Sequence, residues 1–106
     1  MIVHNKLVRD RIPEIIEADG GRPIVRLLDE DDYRAALLTK LGEEAAEYQA
    51  DGHPLELVDI LEVVYALAAV HGLSIEQIEE QRRAKRAERG GFERRLLLES
   101  VDKGRF

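Results

Sequence analysis

Residues 41–70, LGEEAAEYQADGHPLELVDILEVVYALAAV, decide how this chain folds. Up to Ala50, apolar residues recur at intervals of three and four: Leu37, Leu38, Leu41, Ala45 and Tyr48 make one stripe of a helix over residues 33–50. The following segment, 57–70, has no polar face. Leu57, Val58, Ile60, Leu61, Val63, Val64, Tyr65, Leu67 and Val70 surround it, and Asp59 and Glu62 are its only charges. Between the two lies DGHP, where Gly52 suits the left-handed residue after a helix and Pro54 the first turn of the next. So short a link makes the helices antiparallel neighbours, and the expected fold is all-α, built on a helical hairpin.

Outward from the hairpin the signals are weaker. DEDD at 29–32 offers N-cap residues and negative charge to the first long helix; it lacks the glycine and spaced ligands of a calcium loop. Before it, MIVHNKLVRDRIPEIIEADGGRPIVRLL mixes β-branched residues with Pro13, Gly20, Gly21 and Pro23. That composition predicts a short irregular N-terminal arm carrying Lys6, Arg9 and Arg11, a short helix near 11–18, and an extended PIVRLL. After Gly72, which ends the second long helix, Ser74 and Gln77 form a capping box for a third long helix, SIEQIEEQRRAKRAER. Gly90 and Gly91 stop it, leaving FERRLLLESVDKGRF to pack back or onto a partner.

A chain of 106 residues supports one domain, 1–106, whose modest core makes an extra apolar helix face favour association. Sixteen Lys and Arg against 22 Asp and Glu argue against a broadly basic surface, so no nucleic-acid polymer is expected as a partner. Without cysteine there are no disulfides and no thiolate metal sites. No leader pattern opens the chain and acids interrupt every long apolar run, so a cytoplasmic protein with no membrane partner is expected.

The acids within the hairpin carry the chemistry. At 100° per residue Glu44 falls about 20° from Leu37, at the border of the apolar stripe, with Glu47 beside it at i+3 and Glu43 further round. Asp59 and Glu62 repeat the i, i+3 spacing on the apolar helix. An ionised carboxylate without a partner in a dry interior costs several kcal/mol. Lys40, one turn before Glu44, can serve one of them, and the second helix has no Lys or Arg. Glu47 ends one helix and Asp59 begins the next, so both pairs fall at similar height. Glu44, Glu47, Asp59 and Glu62 together suit a hard divalent cation, Mg²⁺ or Mn²⁺. Glu43 and Glu56 read as ordinary helix acids. A di-iron bundle would need Glu-x-x-His, which is absent; His4, His53 and His71 read as turn or surface residues.

This pattern resembles the all-α nucleotide pyrophosphohydrolase superfamily, which includes the MazG-like and phosphoribosyl-ATP pyrophosphohydrolase branches and the dimeric dUTPases. Its signature is Glu-Glu-x-x-Glu, a spacer, then Glu-x-x-Asp. EEAAE at 43–47 matches the first half, and LELVDILEVVY offers Glu56-x-x-Asp59 or Asp59-x-x-Glu62 for the second. Anchoring on Tyr65, as in the DLLYHL of the phosphoribosyl-ATP branch, favours Asp59 and Glu62. KLVRDRIPEII and ERGGF resemble a small MazG-like branch, so the likeness spans most of the chain.

The resemblance implies a hairpin that forms a four-helix bundle with a partner subunit, as a homodimer or higher homo-oligomer. It implies hydrolysis of a nucleoside triphosphate or related nucleotide between the α and β phosphates, giving a monophosphate and pyrophosphate, in a house-cleaning role. A divalent cation would neutralise phosphate oxygens and acidify the attacking water, and Glu43 or Glu56 would orient or deprotonate that water. For the substrate phosphates Lys40 is best placed; Lys6, Arg9 and Arg11 in the arm, and Lys85, Arg86 and Arg89 before GGF, are further choices. Phosphoribosyl-ATP hydrolysis in histidine synthesis is the alternative reaction, and a non-catalytic helical interaction module the alternative class.

Overall fold

The computed structural model describes residues 1, 2 and 4–102, and over these the chain is all-α. Four helices follow one another: α1 (Ile12–Ala18), α2 (Glu30–Asp51), α3 (Glu56–Val70) and α4 (Ile75–Arg89). Their ends follow from local chemistry. Asp29 caps α2 by accepting the Asp32 N–H at 2.8 Å. The cap is therefore the first residue of DEDD, and α2 starts three residues before the apolar stripe does, with Glu30, Asp31 and Asp32 in the turn where the helix dipole favours acids. Ser74 and Gln77 make the expected reciprocal box at the start of α4, at 2.8 and 3.1 Å. PIVRLL forms no strand; with no second strand to pair with, nothing orders it as one.

The DGHP turn satisfies itself. Gly52 sits at φ 67° and donates to the Tyr48 carbonyl at 2.8 Å. A Cβ there would meet nothing within 4 Å, so glycine is required by the backbone angle alone. Asp51 accepts the His53 N–H at 2.8 Å, and His53 Nδ1 accepts the Leu55 N–H at 3.2 Å, which gives this histidine a turn role. The chain then re-enters helix, and α3 packs along α2. At the far end Gly72, at φ 77°, closes α3, and α4 leaves at 104°.

This geometry leaves α3 short of partners. Its apolar surface is more than a lone hairpin was expected to cover, and among its described residues only Val63 and Ala68 are buried, while Leu57, Val58 and Leu61 are 47–56% exposed. One antiparallel neighbour covers one side of a helix, α4 diverges, and α1 packs on none of the other helices. The tail does not pack back either: Phe92 and Leu96 to Leu98 are exposed, and its one side-chain link to a helix is Arg86 to Glu93 at 2.7 Å. Lys103 to Phe106 lie outside the described residues. The radius of gyration is 18.6 Å, against about 13 Å for a compact domain of this length. The accessible surface is 9880 Å², against about 6000 Å² for a compact monomer of this mass. Among the described residues no single helix is long and apolar enough to cross a membrane.

Candidate functional site

The hairpin brings its acids together near the turn. One carboxylate oxygen each from Glu44 on α2 and from Glu56 and Asp59 on α3 lie within 4.8 Å of one another. The three differ in surroundings. Glu44 is 6% exposed, among the most enclosed residues of the chain. Its Oε1 faces Lys40 Nζ at 3.3 Å, and its Oε2 is buried with no hydrogen-bond partner. An orphaned, buried carboxylate oxygen is costly unless something positive completes it. Asp59 accepts from Arg9 Nη2 at 2.7 Å. Glu56 pairs with no Lys or Arg among the described residues. Partial burial, then Asp51, Glu47 and Asp59, hold its carboxyl above the ordinary glutamate range.

Next to the cluster the N-terminal arm crosses the hairpin and closes one side of a groove of about 440 Å³. Leu7, Val8, Arg9 and Arg11 come from the arm; Tyr33, Leu37, Lys40 and Glu44 from α2; Asp59, Glu62, Val63 and Ala66 from α3. Its lining mixes apolar side chains (Leu7, Val8, Leu37, Val63, Ala66) with charged ones, Asp10 of the arm included.

The expected acids are therefore present but redistributed. Glu44 and Asp59 converge as the sequence suggested. Glu56, read as a lone helix acid or a water-orienting group, contributes the third oxygen of the cluster. Glu62 lines the groove one turn further along α3, and Glu47 is among the acids whose charge raises the Glu56 carboxyl. Neither belongs to the group of three. Glu43 pairs loosely with Lys40 at 3.8 Å. Of the basic residues, Lys40 and Arg9 reach the acids directly, and Arg11 lines the groove while bonded to Glu14 at 2.6 Å. Lys6 does not line it; Lys85 and Arg89 are exposed on α4, and Arg86 is bound to Glu93. Tyr33 and the arm's Leu7 and Val8 belong to the groove wall, a role that the sequence did not assign to them.

Divalent-cation chemistry fits this donor set. The oxygens are hard, they come from carboxylates, and one of them is buried and unmatched. A transition metal preferring nitrogen or sulfur finds neither in the cluster.

No protein-family model matches the chain, and no solved structure matches it. Over 45 residues it is 58% identical to an uncharacterized protein of Mycolicibacterium smegmatis; the match spans 42% of this chain and 46% of that relative, so it covers less than half the length of either.

Proposed function

We propose that this protein is a Mg²⁺- or Mn²⁺-dependent nucleotide pyrophosphohydrolase of the MazG-like kind, cleaving between the α and β phosphates of a nucleoside triphosphate or a related nucleotide. The observation that carries this reading is Glu44: an acid placed in the hairpin interior, with Oε1 held by Lys40, Oε2 buried without a partner, and a carboxylate oxygen within 4.8 Å of one from each of Glu56 and Asp59. A structural ion pair needs only the first of these contacts. Glu44, Glu56 and Asp59 would hold the cation, with Glu47 and Glu62 at the margin of the site. When bound, the cation supplies neutralisation of phosphate charge and a lowered pKa for a water nucleophile.

The chain's own groups do the rest. Lys40, fixed on α2 at the groove edge, offers an ammonium to phosphate oxygens. Glu43, next to Glu44 on α2 and paired loosely with Lys40, would take the proton of the attacking water, the role that the resemblance gives it. Leu37, Val63 and Ala66 keep bulk water from the groove floor, which strengthens every charge interaction within it. The base-recognition groups are not marked out by this arrangement, and the reading extends to triphosphates as a class.

We also assign the working form to a homo-oligomer. The excess of surface over a compact monomer is of the order that obligate dimers bury, about 2,000–5,000 Å². The α3 face of Leu57, Val58 and Leu61 would meet its copy in a second hairpin.

The test is pyrophosphate release from a panel of nucleoside triphosphates, and from phosphoribosyl-ATP, with and without Mg²⁺ or Mn²⁺. Cation-dependent release that is lost in Asp59→Asn is expected. Activity on phosphoribosyl-ATP alone would move the assignment to histidine synthesis. No cation binding and no release from any substrate would leave the helical interaction module.

A further inference from the structure

The arm's Arg9 occupies an unusual position. Its guanidinium is the counter-charge of Asp59, one of the three carboxylates of the cluster, and the two residues lie 50 positions apart in sequence. Among the described residues two cations serve the cluster. Lys40 comes from within α2, one turn from Glu44, and its side chain is 21% exposed. Arg9 comes from a segment with no regular backbone hydrogen bonding, and its side chain is 52% exposed. Of the two, Arg9 is the one that can leave without disturbing a helix.

A divalent cation drawing on Asp59 would take over the charge that Arg9 now neutralises, and would stand a few ångströms from a guanidinium of the same sign. Like charges at that range repel, and the weaker, solvent-exposed partner gives way. The freed guanidinium stays tethered by Leu7 and Val8 at the groove wall, beside Lys40. Its planar fork is suited to the oxygens of a phosphate, which it can bind through two parallel hydrogen bonds.

We infer that Arg9 is an exchangeable clamp: it holds Asp59 while the site lacks a cation, and on cation binding it moves to the phosphates of the substrate. The inference rests on the metal-site reading above and adds to it a coupling between cation entry and substrate capture. The arm then closes over substrate only when the cation is in place. Without the cation, phosphate must compete with Asp59 for the guanidinium.

Because the two partners of Arg9 are alternatives, removing it must affect the two ligands in opposite directions. The full-length protein, Arg9→Gln and Arg9→Lys are compared in two titrations. Mn²⁺ binding is followed by the electron paramagnetic resonance signal of the free ion, and inorganic pyrophosphate binding to the Mn²⁺-loaded protein by calorimetry. Arg9→Gln is expected to bind Mn²⁺ about three- to tenfold more tightly, having lost a competing positive charge. It is expected to bind pyrophosphate about tenfold more weakly, having lost a charge-assisted bidentate contact. Arg9→Lys should keep the wild-type Mn²⁺ affinity and recover part of the pyrophosphate affinity. Unchanged or weaker Mn²⁺ binding in Arg9→Gln, or unchanged pyrophosphate binding, overturns the exchange while leaving the metal site standing. Absence of Mn²⁺ binding in all three proteins overturns the metal site and the exchange together.

Discussion

Replacing Glu44 by Gln separates a cation ligand from a structural ion pair by the sign of its effect on stability. With the cation absent, Glu44 is pulled by Lys40 at 3.3 Å and pushed by two carboxylates within 4.8 Å. Between water-like screening and an effective dielectric of about 20, the attraction comes to about 1–5 kcal/mol. Over the same range, each repulsion costs Glu44 about 1–3.5 kcal/mol. Arg9, bonded to Asp59 at 2.7 Å, offsets one of the two repulsions, so the pairwise charges come close to balance. The orphaned Oε2 adds the penalty of a buried charge, which a neutral amide reduces although it too is left short of a partner. The metal-free Glu44→Gln protein should therefore be more stable than wild type by about 1–2 kcal/mol, a rise in Tm of roughly 5–10 °C for a domain of this size. In wild type, saturating Mg²⁺ or Mn²⁺ should raise Tm by a similar amount, since about 2.7 kcal/mol follows from a ligand at 100 times its Kd. The variant should lose that increment. Differential scanning calorimetry of both proteins, with chelator and with cation, reads all four values. A metal-free variant that melts below wild type would mean that the Lys40 pair dominates and that Glu44 is there for the fold.

Glu56 gives a pH test. Its carboxyl is raised above its ordinary value of 4.5 by partial burial and by the acids around it. A raised group stabilises the fold when protonated, so its contribution is present below about pH 4.5 and disappears as pH climbs through its folded value. In chelator, Glu56→Gln should melt above wild type at pH 7 and level with it at pH 4; an equal gap at both would refute the cause given. Leu61→Glu places a charge on the exposed α3 face and should abolish self-association in sedimentation equilibrium, with a lower Tm; a wild-type chain that is monomeric at tens of micromolar would overturn the interface. Gly52→Ala forces a side chain into the left-handed region at φ 67° and should cost about 1–2 kcal/mol, read as a loss of roughly 5–10 °C in Tm.

How far the sequence discloses this molecule depends on the range of the interaction. Signals confined to one helix turn were legible: the Ser74 box, the Gly52 stop, the hairpin and the partial burial of Glu44 all follow from spacing. The allocation of acids was not, because Glu56 and Glu62 are both one helical turn from Asp59, on opposite sides of it in sequence. Which of them meets Glu44 depends on how far α3 is rotated against α2, and that rotation is set by packing of Leu37 and Val63. Periodicity alone leaves it free. The arm lay further out of reach. Nothing in KLVRD indicates that Arg9 will bond to a residue 50 positions away. The apolar surface of α3 exceeds what one antiparallel neighbour can cover, and periodicity does not say which of its residues α2 buries.

The hairpin turn also has a kinetic meaning. Glu44, Glu56 and Asp59 are close in sequence as well as in space, so the loop that must close to assemble them is short and its entropic cost small. Contacts of such low order form early in folding. The carboxylates thus meet one another before the distant Arg9 can arrive. During that interval Lys40, already in place one helical turn away, is the positive charge at hand, and a nascent hairpin of this chain depends on it to keep its acids from driving the two helices apart.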